Sequence, residues 1–84
     1  MKANVYDLVK TSTQVQSDFK PEITIPTGTI GTVIEYYEQP EGYAVDLAIP
    51  NEQLVGGYEY HNVILLPQQF VVIKKFETSE KIAG

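Results

Sequence analysis

The sequence contains no cysteine, no tryptophan and no arginine. Without Cys there is no disulfide framework, no thiolate metal site and no Cys nucleophile. A single His and no Arg leave few parts for catalysis. The chain is therefore expected to be no enzyme and to need no cofactor. No apolar run approaches the ~18–20 residues of a membrane span. Lys2 comes early, but no apolar stretch follows it, so the start does not read as a signal peptide. The expected compartment is the cytoplasm, with no membrane partner. The largest gap is in positive charge. Between Lys20 and Lys74 there is no Lys or Arg, while Glu22, Glu35, Glu38, Glu41, Asp46, Glu52 and Glu59 fall in that interval. The formal net charge is −5. A protein that grips phosphate backbones needs the opposite balance, so general nucleic-acid binding is not expected.

What is present suits one small folded domain. The 84 residues are 43% hydrophobic, with six Tyr and three Phe, too apolar for a disordered chain. Val5 to Thr11 is short, β-branched and aromatic, and suits a strand. Ser12 to Pro26 is polar and broken by Pro21 and Pro26, which predicts a long irregular loop. Ile23–Thr24–Ile25 within it can hold at most an edge position. Gly28 and Gly31 bracket Thr29–Ile30 before an apolar strand and mark a tight turn or a close backbone approach. As a phosphate cradle this segment lacks the lysine and the following helix.

Thr32 to Tyr37 reads as a strand, and Glu38 to Gly42 as a turn longer than two residues. Pro40 would set its first corner and Gly42 its left-handed end. Tyr43 to Ile49 alternates, with Tyr43, Val45, Leu47 and Ile49 on one face and Ala44, Asp46 and Ala48 on the other. Residues 32 to 49 therefore form a β-hairpin. Pro50–Asn51–Glu52 is a second turn, and Gly56–Gly57 allows a bend or bulge. Tyr58 to Leu66 is the next strand. Its apolar second half suggests burial on both faces. Pro67 to Phe70 fits one helical turn, and Val71 to Ile73 a last short strand. Residues 74 to 84 are expected to be a loose tail or a short terminal helix.

No segment sustains a 3.6-residue apolar period. The sum is an all-β domain over residues 1–73, a small five-stranded barrel that hides its edges. A long first loop and a one-turn helix before the last strand are the order of an SH3-like barrel.

The quoted runs also resemble a small bacterial family. These are Tyr6–Val9, Gly28–Glu35, Gly42–Leu47 and Val63–Phe70, over about residues 5 to 73. The family is domain of unknown function family 4926. Its members read Tyr-Asp-Val-Val, then Gly-x-x-Gly-Thr-Val-Val-Glu, then Tyr-x-Val-Glu-Phe, then an apolar strand closing on Pro-x-x-x-Leu. Here the first loop is longer, the acidic–aromatic pair is Asp46–Leu47, and the closing Leu is Phe70. The resemblance implies an SH3-like barrel and one half of a two-component pair, such as a toxin and its neutraliser. The chain is more distantly similar to the small accessory subunit of photosystem I and to the variable subunit of ferredoxin–thioredoxin reductase. Both imply non-catalytic barrels docked on larger complexes.

Each chemical candidate has a plainer reading beside it. Tyr6–Asp7 is similar to the signature dyad of peptide-binding SH3 domains, but their grooves are walled by Trp. Tyr6 reads better as a core or rim aromatic. His61 has neither a nucleophile nor co-ligands at a telling spacing and reads as a strand surface residue. Glu35, Glu38 and Glu41 read as exposed charge around a hairpin. The tyrosines carry the most information. Tyr36 and Tyr37 are adjacent, so they cannot both face the core, whereas Tyr58 and Tyr60 share a face. They serve either as cross-strand pairs or as an interface hot spot. Rings near Glu38, Glu41 and Glu59 would suit a partner bearing Lys or Arg.

The expected function is a non-catalytic interaction module for a specific, basic protein, one that a neighbouring gene could encode. Tyr36, Glu38, Glu41, Tyr58, Glu59 and Tyr60 are the candidate contact residues. Self-association through edge strands is a milder version. The alternatives are an accessory subunit of a larger assembly or a small-ligand-binding barrel.

Overall fold

The computed structural model describes residues 1–17 and 23–76. Seven strands run through them: β1 (Leu8–Thr11), β2 (Val15–Gln16), β3 (Thr24–Ile25), β4 (Ile30–Glu38), β5 (Glu41–Pro50), β6 (Tyr58–Leu65) and β7 (Phe70–Lys74). Five form one antiparallel sheet in the order β6-β5-β4-β1-β7. A 3-10 turn, Pro67–Gln69, carries the chain from one end strand to the other. This is the all-β arrangement that the sequence predicts, five strands with a helical turn before the last one.

β5 lies at the centre of the meander and shows why the sheet forms. Tyr43, Val45 and Leu47 are fully buried along one face. They pack with Val9, Val33, Val63, Leu65 and Phe70 in a single core. One apolar residue at every second position gives each strand one buried face, and that fixes the register. The Phe70 ring meets the Tyr43 ring edge-on at 5.1 Å between centroids.

Several local expectations change. The β4–β5 loop has only two residues, Gln39 and Pro40, because Glu38 already pairs with Glu41. The Gln39–Pro40 peptide is cis. Gly42 lies within β5, and its φ is not positive. It is buried where a Cβ would stand 3.3 Å from Ile64 Cγ2. Gly31 marks a still closer approach, because a Cβ there would meet Asp46 O at 2.8 Å. β1 begins at Leu8 rather than Val5. The chain bends at Val5–Tyr6, where Tyr6 has φ 76°. The second half of β6 keeps its alternation: Val63 and Leu65 are buried, Ile64 and Leu66 exposed. Four consecutive apolar residues suggest burial on both faces, but on the outer one Ile64 and Leu66 are 46% and 43% exposed. β7 starts at Phe70 and runs on to Lys74.

The loop from Ser12 to Pro26 is not wholly irregular. β2 and β3 pair within it, Val15 with Ile25 and Gln16 with Thr24. Val15 and Ile25 reach the core. The loop's base is tied by Thr11. Its backbone N–H donates to Thr29 O at 2.9 Å and its carbonyl accepts from Gly28 N at 2.8 Å. Its hydroxyl donates to Pro26 O and accepts from Thr29 N.

Of the expected tail, Lys74 to Phe76 is described, and it is anchored. Asp7, 1% exposed, accepts hydrogen bonds from Asn4 N, Phe76 N and the Lys75 ammonium at 2.8–3.0 Å. Burial alone would raise this carboxyl's pKa. The Asn4 and Phe76 N–H groups and Lys75 together hold it below its ordinary value. Tyr6 packs edge-on against Phe76 at 5.4 Å. The expected loose or helical end beyond Phe76 lies outside the described residues.

Candidate functional site

The β5 register sorts the candidate residues by face and by end. Tyr36 pairs with Tyr43 and lies toward the core side. Its ring sits 5.1 Å from that of Tyr43 and is half-buried. Burial, and then Glu41 and Glu38, raise its pKa. Glu41 accepts the Tyr43 hydroxyl at 2.5 Å, and that oxygen in turn accepts Lys2 N–H at 2.6 Å. Tyr36, Glu38 and Glu41 therefore share the hairpin tip, where part of the tyrosine and carboxylate chemistry serves the fold. Desolvation, then the Glu41 bond, raises the Tyr43 pKa.

Tyr58 and Tyr60 are at the other end of the sheet. Tyr58 pairs with Pro50 and Tyr60 with Ala48. Six or more β5 residues separate them from the hairpin tip, roughly 20 Å of strand. The six candidates are thus two groups, not one patch. Tyr58 and Tyr60 do share a face, with ring centroids 6.4 Å apart, and they are 50% and 66% exposed. Glu59 points to the opposite face. It bonds Asn51 and His61, at 3.2 and 3.0 Å. His61 is not the surface residue expected, since its side chain is only 11% exposed. The polar pattern Tyr-Glu-Tyr-His-Asn hid this, because the covered face of β6 begins with polar residues.

The outer face of β4–β5–β6 carries a surface that sequence reading missed. Along β6 it shows Tyr58, Tyr60, Asn62, Ile64 and, just beyond, Leu66. Along β5 it shows Asp46, Ala48 and Pro50, while Gly42 and Ala44 on the same face are buried. Ile30, Thr32 and Tyr37 border it on β4. Ile30, Tyr37, Ile64 and Leu66 are each between 37% and 46% exposed. At the hairpin end, Tyr37, Pro40, Ile64 and Leu66 line an open depression. The Tyr37 hydroxyl donates to Glu35 at 3.1 Å, and this bond, then the Glu35 charge, raises its pKa.

At the opposite end lies an open groove of about 520 Å³. Its floor is Ala48 and Pro50, one wall is Tyr58 and Tyr60, and the other is the Pro26–Ile30 segment. Thr11 holds that second wall, and Thr29 adds a bond from its hydroxyl to Pro26 O at 2.6 Å. The signal in the sequence was the Thr27–Gly28–Thr29 turn, but its partner across the groove is set by the non-local sheet order. Among the described residues no group of three His, Asp or Glu side chains could hold a metal ion. No helix among them is long and apolar enough to cross a membrane. Set against known proteins, the chain matches no family model, no curated protein and no solved structure.

Proposed function

We propose that this protein is a non-catalytic interaction module whose outer β4–β5–β6 face binds a specific basic protein. One observation carries the reading. Exposed aromatic and aliphatic side chains gather on one sheet face, within the stretch of chain that has acids and no lysine. Apolar residues clustered on a surface mark interaction sites, and opposite charge speeds and orients encounter. The described lysines, Lys2, Lys10, Lys74 and Lys75, are confined to the first ten residues and to the end of β7 and just beyond. The same reading treats the chain as a relative of domain of unknown function family 4926 and as the neutralising half of a two-component pair. A basic toxic enzyme would be blocked by having its positive substrate site covered. An accessory subunit docked on a larger assembly would use the same face.

The test is a tagged pull-down from the cell of origin at low and at high salt. One stoichiometric basic partner, released by salt, is the expected result. A chain recovered alone at both salts overturns the proposal.

A further inference from the structure

We propose that the groove between Pro26–Ile30 and the Tyr58–Tyr60 pair seats an extended apolar segment of the partner protein, with Asp46 and Tyr60 receiving a lysine or arginine that this segment carries. The inference rests on the interaction-module reading and adds the seat and the chemistry that fills it.

Three features argue for this occupant. The first is shape. Small floor residues and two walls leave about 520 Å³, room for one or two side chains of an extended chain. The Thr11 hydrogen bonds hold one wall in place before anything binds, which lowers the ordering cost of association.

The second is the position of Asp46. It is two residues from Ala48 on the same face and pairs with Asn62, two residues from Tyr60. Diagonal neighbours of this kind stand roughly 7–8 Å apart. An ammonium or guanidinium group fits between the Tyr60 ring and the Asp46 carboxylate. There it gains an ion pair and a cation–π contact together. The Asn62 amide donates to Asp46 Oδ1 at 2.7 Å and orients the carboxylate. Glu59, the acid adjacent in sequence to both tyrosines, is on the wrong face to do this.

The third is charge. No lysine or arginine occurs between positions 23 and 73. The nearest described lysine by register is Lys10 of β1, which pairs with Ile30 of β4. It lies two strands from Ala48, roughly 10 Å away. Its repulsion favours a cation on the Asp46–Tyr60 side, which sets the direction of the bound segment. A second copy of the chain is a poor occupant, because two chains of charge −5 repel.

The experiment is an amide-shift titration of the ¹⁵N-labelled full chain with acetyl-Gly-Leu-Lys-Leu-Gly-amide. The same peptide with norleucine for lysine, spermidine and hexathymidylate are run beside it. The lysine peptide should shift Ala48, Tyr58 and Tyr60 and bind about three- to tenfold more tightly than its norleucine form. Asp46→Asn should erase that preference, and Tyr60→Ala should weaken both peptides. Both side chains are at the surface, and an unchanged amide spectrum elsewhere confirms the fold. Shifts confined to other residues, equal binding of the two peptides, or a preference that survives Asp46→Asn would overturn the proposal. So would spermidine or hexathymidylate binding as well as the lysine peptide. A salt-released partner that binds both variants like the parent overturns this seat and leaves the interaction-module reading standing. No partner at either salt removes both.

Discussion

The two halves of the sheet are built on different principles. β4, β5 and β6 form a meander of sequence neighbours joined by a two-residue turn and a seven-residue loop, held in register by alternating apolar residues. β1 and β7 are distant in sequence; beside the buried Val9 and Phe70, polar groups tie their ends, with the Asp7 carboxylate holding the residues after β7 and the Thr11 hydroxyl holding the Pro26–Thr29 segment. The first half needs only pattern. The second needs particular donors and acceptors at particular places, since a buried polar group without a partner costs more than its bond contributes. The contrast extends to charge, for all the described lysines are on the second half or on the segment leading into it.

Phe70 joins the halves, being on β7 and packing on Tyr43 of β5. Phe70→Ala should cost about 3–5 kcal/mol, enough to unfold much of so small a domain. The loss would appear as a lowered urea midpoint. Asp7→Ala strikes the polar half alone. It strands two backbone N–H groups and should cost about 2–3 kcal/mol. Acid sharpens the same point. Asp7 is held below its ordinary value of 3.8, so the folded state favours the carboxylate. Its contribution is complete above that pH and is lost as pH falls through the lower, folded value. The urea midpoint of the parent should therefore fall more steeply below about pH 4 than that of Asp7→Asn.

Gly31→Ala tests the meander's closest approach. Its new methyl would press on Val45 Cγ1 at 2.6 Å and on the Asp46 carbonyl, costing about 1–3 kcal/mol. Smallest of all is Asp46→Asn, which should leave stability within about 0.5 kcal/mol while changing peptide preference. A large stability loss there would mean that the outer face belongs to the architecture and not to recognition.

The same division decided what could be read in advance. The hairpin of residues 32 to 49 was legible because its alternation and its turn are local. Gly42 was misplaced because Pro-Glu-Gly has the composition of a longer turn, while the observed need is space beside Ile64. His61 was misread because β6 turns polar residues toward the sheet's covered face at its start. Tyr58 and Tyr60 were legible as a same-face pair, yet Asp46 and the Pro26–Ile30 wall were not. Three separate strands and a loop bring them together, and no spacing within one segment encodes that meeting. Asp7 stood in plain view beside Tyr6, but its partners are Lys75 and Phe76, at the far side of the chain.

That last connection bears on how the molecule is made. A ribosome delivers β4, β5 and β6 in succession, and each can zip to its predecessor as it emerges. Phe70 and the residues that clasp Asp7 are translated only afterwards. Until then β1 is paired along one edge only, and Tyr43 waits for the Phe70 ring that packs against it in the finished fold.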